Sequence, residues 1–330
     1  MFKPRVYITR QIFPDALDLI EKSADLELWP EDEPPSPEQL REAMADVDGA
    51  IINVMDRIDA PLLDAAPKLK VLSQVAAGLD NIDVPEATKR EILVGYTPGV
   101  LAKSTADLAF GLLLAVARRV VESDKWVREG NWKISHHPMF WLGSEVNGST
   151  LGILGRGGIG LEMAKRAQGF DMKVLYHSRT RKPETAKEFG LKYASFKRLL
   201  TESDFISIHV PLTPETNRFI GEKELKMMKP TAILVNLSRG PVVDTDALYK
   251  ALTKGWIAGA GLDVFDPEPV PAGHPVLGLD NVVVLPHIGS ASNRSRREMH
   301  LLAARNLLAG LNGERLEACA NPEVYESLGI

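Results

Sequence analysis

A strand, a glycine turn and a helix in immediate succession leave few folds open to this 330-residue chain. Thr150-Leu151-Gly152-Ile153-Leu154 has apolar strand character and runs straight into Gly155-Arg156-Gly157-Gly158-Ile159-Gly160. A helical pattern from Leu161 to Gln168 and a second strand from Lys173 to Tyr176 follow, which is the context a G-x-G-x-x-G needs to be more than a flexible turn. A diphosphate reaches backbone N–H groups at a helix N-terminus only where no Cβ stands in the way, and the tight turn needs permissive φ. The spacing therefore predicts a doubly wound α/β sheet that binds a dinucleotide.

The end of the second strand bears on which dinucleotide. An Asp or Glu about 20 residues beyond the glycines binds the ribose 2′-OH of NAD. Here the strand ends in Ser178-Arg179-Thr180-Arg181-Lys182. A carboxylate would repel a 2′-phosphate, whereas hydroxyls and a guanidinium bind it by charge-assisted hydrogen bonds. NADP(H) is the preferred expectation, with NAD(H) still possible.

Composition sets the outer limits. At 45% hydrophobic and 25% charged residues, the chain is ordinary globular material, long enough for two domains with a core each. A net charge of -5 gives no reason to expect nucleic acid or an anionic membrane as partner. The longest apolar run, Leu108 to Ala117, is too short to span a bilayer. The single cysteine, Cys319, fits a reducing compartment, and Met1-Phe2-Lys3-Pro4-Arg5 leads directly into a strand without a signal pattern. A cytoplasmic enzyme is expected.

Strand and helix alternate along the first hundred residues, which implies a parallel sheet covered on both faces. Strands are read at Val6–Thr9, Leu26–Trp29, Ala50–Asn53 and Val71–Val75, with Ser36-Pro37-Glu38-Gln39 opening a helix through a capping box. Ala76-Ala77-Gly78-Leu79-Asp80 lies at the end of the fourth strand. It suits either an anion-binding nest or a close-packed turn. A helix from Ser104 to about Val121, opened by a capping box at Ser104-Thr105-Ala106-Asp107, carries no polar face in its middle and is expected between domains or subunits. The aromatic stretch Trp126 to Gly148 holds His136 and His137 with no third ligand nearby, so no metal site is expected, and Phe140-Trp141 is expected against another subunit.

Beyond the glycines, strands at Phe205–Val210, Ala232–Asn236, Gly259–Val264 and Val282–Leu285 resume the pattern. Three of them deliver one chemically able residue each: Arg239, Glu268 and His287. Taken singly, Arg239 suits a sheet-end salt bridge and Glu268 a loop between two prolines. Three such residues on the edge where a cofactor binds favour chemistry.

The order of those strand ends, in Leu151 to Gly160, Leu237-Ser238-Arg239-Gly240-Pro241-Val242-Val243-Asp244, Gly261-Leu262-Asp263-Val264-Phe265 with Glu268-Pro269, and Pro286-His287-Ile288-Gly289-Ser290, resembles the D-isomer-specific 2-hydroxyacid dehydrogenases over nearly the whole chain. Val75-Ala76-Ala77-Gly78, Tyr96-Thr97-Pro98-Gly99-Val100-Leu101 and the basic run after the second strand are most similar to the glyoxylate/hydroxypyruvate reductases within it. The resemblance implies two Rossmann-like or flavodoxin-like domains with parallel, doubly wound sheets and an active site in the cleft between them. It implies a discontinuous substrate domain of residues 1–98 plus 289–330, an NAD(P) domain of residues 99–288, and a homodimer. Cofactor contacts are implied at Thr105, Gly155, Arg156, Gly157, Gly158, Ile159, Gly160, Ser178, Arg179, Thr180, Val210, Pro211, Thr216, Leu237, Ser238, Arg239, Asp263, His287, Ile288 and Gly289. The pattern departs at Gly158, where most relatives have arginine; backbone contact to a diphosphate does not need that side chain.

Reduction of a 2-keto acid needs a cation for the carboxylate and carbonyl oxygen, a proton donor for the developing alkoxide, and a hydride close to the carbonyl carbon. Arg239 offers a planar fork, and His287, of a residue type that titrates near neutrality, suits a general acid steadied by Glu268. The substrate is expected on the Ala77 and Gly78 amides, Arg239 and His287, with Trp141 arriving from a partner subunit. The expected reaction is reduction of glyoxylate or hydroxypyruvate to glycolate or D-glycerate. The alternatives are another D-2-hydroxyacid or phosphite dehydrogenase, or a non-enzymatic NAD(H)-binding regulatory protein.

Overall fold

Apolar runs of three to five residues, each delivered to a turn and a helix, pair side by side in two sheets that are parallel throughout. The computed structural model describes residues 3–181 and 183–330. The chain divides into two units, Met1–Leu101 with Ser290–Ile330, and Ala102–Gly289.

In the first unit, β1 (Arg5–Ile8), β2 (Asp25–Leu28), β3 (Gly49–Ile52), β4 (Val71–Gln74) and β5 (Leu93–Gly95) lie in the order β2-β1-β3-β4-β5. Side chains alternate between two cores as a strand's period of two requires: Val6, Ile8, Ile51 and Val71 on one face, Tyr7, Ala50, Ile52 and Leu72 on the other. The helix Asn293–Leu311 returns from the far end of the chain to cover the first face with Met299, Ala303, Ala304 and Leu307. It packs so closely that a Cβ at Gly310 would lie 2.7 Å from Val71.

The second unit holds β6 (Thr150–Leu154), β7 (Lys173–His177), β8 (Leu191–Tyr193), β9 (Phe205–Ile208), β10 (Ile233–Asn236), β11 (Gly259–Leu262) and β12 (Val282–Val284), ordered β12-β11-β10-β9-β6-β7-β8. The chain leaves β6 toward β7 and β8, then restarts at β9 on the other side. The carboxyl ends of β6 and β9 therefore form the switch point at which such sheets bind ligands. Leu151, Ile153, Phe205, Ile233 and Val235 face one core, and Leu154, Ile206, Ile208 and Leu234 face the other. No helix among the described residues is long and apolar enough to cross a membrane.

Two helices differ from the sequence expectation. The helix expected from Ser104 to Val121 starts at Ala102, so Ser104 sits inside its first turn and donates to the Gly289 carbonyl at 3.4 Å instead of capping. Asp107 pairs with Arg166. This helix ends at Ala117, and Arg119 takes a left-handed φ of 53° before a new helix, Val120–Arg128. Two hydrogen bonds to Glu122 and a position 4.6 Å from the Trp141 ring hold the guanidinium in that break. Within the single chain Gly111 of the first helix is exposed, and Leu108, Leu114 and Val116 are half-buried. The glycine-turn helix begins at Gly158, three residues earlier than expected, so two of its glycines lie in the first turn.

Candidate active site

The glycine turn joins β6 to the helix Gly158–Gln168 at the switch point of the second sheet. Gly155 has φ +93°, and a Cβ there would lie 2.5 Å from the His209 carbonyl oxygen. At Gly160 a Cβ would lie 2.3 Å from the Gly155 carbonyl oxygen. The fold itself thus demands both glycines. Gly157 is different: a Cβ there would meet no protein atom within 4 Å, and as N-cap it supplies no side-chain bond to the amides that follow. Those free N–H groups at a positive helix end, with open space above a glycine, fit a dinucleotide diphosphate. Ile159 is half-buried, while Gly157 and Gly158 are exposed. A Cβ at Gly158 would touch only Ala102, at 3.5 Å. Arg156 is half-buried, with its guanidinium near the Tyr176 ring and its Nε enclosed.

Three strand ends converge further along the same edge. Asn236, buried at the end of β10, accepts from the Ser238 amide at 3.0 Å and donates to the Arg239 carbonyl at 3.0 Å, so one carboxamide ties the turn that carries Leu237, Ser238 and Arg239. Gly240 lets that turn press onto its neighbour; a Cβ there would fall 1.8 Å from the Phe265 carbonyl oxygen. The Arg239 guanidinium donates to the Ser238 carbonyl at 2.9 Å.

Glu268 accepts from the Phe265 amide at 2.7 Å through one oxygen and meets His287 Nδ1 at 2.8 Å through the other. Burial pushes the Glu268 carboxyl up, but the hydrogen bond and charge of His287, the Phe265 amide and the Arg239 guanidinium outweigh it and hold the group below its usual value. Its carboxylate form is the one this edge favours.

His287 has a left-handed φ of 54°, a conformation that must be held from outside. Asp263, following β11, holds it: its carbonyl accepts from the His287 amide at 2.9 Å, and its carboxylate accepts from Ile288 and Gly289 at 2.8 and 2.7 Å. Burial pushes the Asp263 carboxyl above its usual value despite those two amides. Thr105 is buried beside Gly289 and Asp263. Sequence reasoning makes Asp263 a cofactor contact; the carboxylate is engaged by this chain's own backbone. Sequence reasoning misses Asn236 and Gly240, although an asparagine ending an apolar strand and a glycine after Arg239 are both visible signals.

The remaining candidates divide by location. At the end of β7, Ser178 donates to the Thr180 carbonyl at 2.8 Å, Arg179 and Thr180 are exposed, and the Arg181 guanidinium stacks 3.7 Å from the Tyr193 ring. Lys182 lies outside the described residues. After β9 come Val210 and Pro211, whose carbonyl accepts from the Thr216 hydroxyl at 2.6 Å. Trp141 lies against Trp126, ring centroids 5.5 Å apart. Ala77 and Gly78 belong to the first unit, in the loop after β4, where Ala77 is exposed.

Residues 110–289 match the D-isomer specific 2-hydroxyacid dehydrogenase family, NAD binding domain. The chain is 55% identical to the glyoxylate reductase of Thermococcus litoralis over 98% of its own length and 99% of the relative's. A crystal structure of a Thermus thermophilus protein superposes with a TM-score of 0.89 at 46% identity, covering 96% of this chain and 99% of that one. The NADPH-dependent glyoxylate/hydroxypyruvate reductase of Sinorhizobium meliloti, solved with NADP and malonate, gives a TM-score of 0.83 at 32% identity, over 96% and 97% of the two chains.

Proposed function

Because the chain belongs to the D-isomer specific 2-hydroxyacid dehydrogenases, nicotinamide-dependent oxidoreductases acting on a CH–OH group, we propose that it is a glyoxylate/hydroxypyruvate reductase. The observation that carries this reading is the 2.8 Å pairing of His287 with Glu268 on the edge that also bears Arg239. With Nδ1 engaged by the carboxylate, Nε2 is the nitrogen that serves the substrate.

Arg239 binds the carboxylate of the keto acid and polarises its carbonyl oxygen, and the Ala77 and Gly78 amides take the carboxylate as well. The bound nicotinamide supplies the hydride. As the carbonyl π pair withdraws to oxygen, His287 gives that oxygen its proton, and Glu268 carries the imidazolium's countercharge before and during the transfer. Trp141 borders the substrate from a partner subunit.

NADP(H) is the preferred cofactor in this proposal, with NAD(H) as the lesser one. Support comes from Ser178, Arg179 and Thr180 where an NAD site carries an acid, and from NADP in the Sinorhizobium meliloti relative. The diphosphate rests on Gly155 to Gly160, and Thr105, Val210, Pro211, Thr216, Leu237, Ser238, Asp263, Ile288 and Gly289 line the rest. A homodimer is proposed on the apolar side chains left in solvent between residues 120 and 142, among them Trp132 at 59% and Met139 at 69% exposure. The lone Cys319 supports a cytoplasmic location.

The test is a panel of glyoxylate, hydroxypyruvate and pyruvate with NADPH and NADH, and of phosphite with NADP+ and NAD+, followed by nicotinamide absorbance. Fastest turnover of glyoxylate or hydroxypyruvate with NADPH is expected. Turnover of phosphite alone, or of nothing, would overturn the assignment.

A further inference from the structure

We propose that Gln74 and Asn81 are positioning residues for the keto acid's carboxylate, holding the Ala77–Gly78 amides from behind. This rests on the assignment of those amides to the substrate. Gln74 ends β4 and is fully buried between β3 and β5. Its Nε2 donates to Asn81 Oδ1 at 2.7 Å and to the Gly78 carbonyl at 3.3 Å, which uses both hydrogens. The Asn81 Nδ2 in turn donates to the Asn53 carbonyl at 3.0 Å and the Asp56 carbonyl at 2.8 Å. An amide with two carbonyls before its nitrogen and a donor before its oxygen has one workable orientation.

The far end of this chain of bonds is anchored in the sheet. The Asp56 carboxylate, 2% exposed, accepts from the Asn53 amide at 2.7 Å and from the Thr9 hydroxyl, with Arg10 at 3.6 Å. Thr9 follows β1 and Asn53 follows β3, the two neighbours between which this sheet's strand order reverses. In an open α/β sheet that reversal marks the usual ligand crevice. Here the protein's own side chains tie its two sides together and pass the constraint to the loop after β4. Asp56 and Arg10 pair at the distant end, and both side-chain links nearest Gly78 are neutral carboxamides. A carboxylate at either link would face a carbonyl and repel the substrate.

A positioning role differs from a merely structural one in its kinetics. Carboxylate contacts are made equally in ground and transition states, so loosening them raises KM and spares kcat. Gln74→Met keeps the side-chain volume and removes both donors. It is expected to raise KM for glyoxylate about tenfold, as for one charge-assisted hydrogen bond lost, and to weaken competitive inhibition by oxamate by the same factor. Turnover and NADPH affinity should stay within about twofold. Unchanged KM and oxamate inhibition would overturn the proposal, as would a joint fall of kcat, KM performance and NADPH affinity. Should Gln74→Met not fold, Asn81→Ser is read by the same criteria. Failure of the wild-type protein to reduce any 2-keto acid would overturn the underlying assignment and this inference with it. Glyoxylate reduction by the wild type with indifferent variants would overturn this inference alone.

Discussion

Arg239 and His287 serve one proposed reaction in different ways, and their removal should leave different kinetic traces. Arg239 binds the substrate carboxylate before reaction and the growing charge on oxygen during it. Arg239→Ala should therefore raise KM and lower kcat together, by about 100-fold or more in kcat/KM for a lost bidentate charged contact. His287 acts on the proton alone. His287→Ala should drop keto-acid turnover by at least about 100-fold at neutral pH and leave NADPH affinity, followed by fluorescence titration, unaltered. Unchanged kcat/KM in either variant would remove the role given to that residue. The sequence made the neighbourhood of Glu268 and His287 legible, because each follows an apolar strand in a single α/β alternation. It did not carry the left-handed φ of His287 or the clasp of Asp263 on the following amides, since both arise from packing between strand ends distant in sequence.

The glycine turn shows at the level of one element which demands come from the fold and which from a ligand. Gly160→Ala would drive a Cβ to 2.3 Å from the Gly155 carbonyl and should cost stability, lowering Tm by several degrees or abolishing folding. Gly157→Ala meets no protein atom, so Tm should hold while dinucleotide affinity falls by about tenfold or more. Equal affinity in Gly157→Ala and wild type would argue against a diphosphate over that amide. At the end of β7 the test is one of charge: Arg179→Asp should swing preference from NADPH towards NADH, and an unmoved ratio of the two kcat/KM values would remove the 2′-phosphate argument. Long β-branched or apolar strands such as β6 and β10 could be read directly from the sequence. Of the three-residue strands, β12 stands out by its unbroken Val282-Val283-Val284 run, whereas Leu93-Val94-Gly95 of β5 and Leu191-Lys192-Tyr193 of β8 are too short and too mixed to show a period. The helix break at Arg119 was also hidden, since no glycine or proline marks it and the cause is the ion pair with Glu122 and the Trp141 ring.

Across the whole molecule, the half-buried His209 and the buried His300 make folding sensitive to acid. Burial pushes His209 down to about 3, with Nε2 2.8 Å from the Ser207 hydroxyl and Nδ1 enclosed without a partner among the described residues. Burial, with Arg296 nearby, pushes His300 down to about 4 against the opposing charge of Asp15; its Nδ1 accepts from the Phe13 amide at 3.0 Å. Both rings are neutral in the fold, whereas the unfolded chain protonates them near the ordinary value of 6.5. The stability they permit is complete above that pH and falls as pH drops toward 4, by about 1.4 kcal/mol per pH unit for each histidine. Denaturant titrations from pH 7 to 4.5 should show that slope, and His300→Gln should flatten it by about half; an identical slope in the variant would contradict the linkage. At the proposed active site a guanidinium and an imidazole, the imidazole backed by a carboxylate on its other nitrogen, must meet one keto acid beside one nicotinamide. A crystal structure of the complex with NADPH and oxamate tests that convergence most directly. Arg239 and the Nε2 of His287 should lie within hydrogen-bond distance of the inhibitor's oxygens, with Glu268 still on Nδ1; either side chain turned away from the bound oxamate would contradict the proposed site.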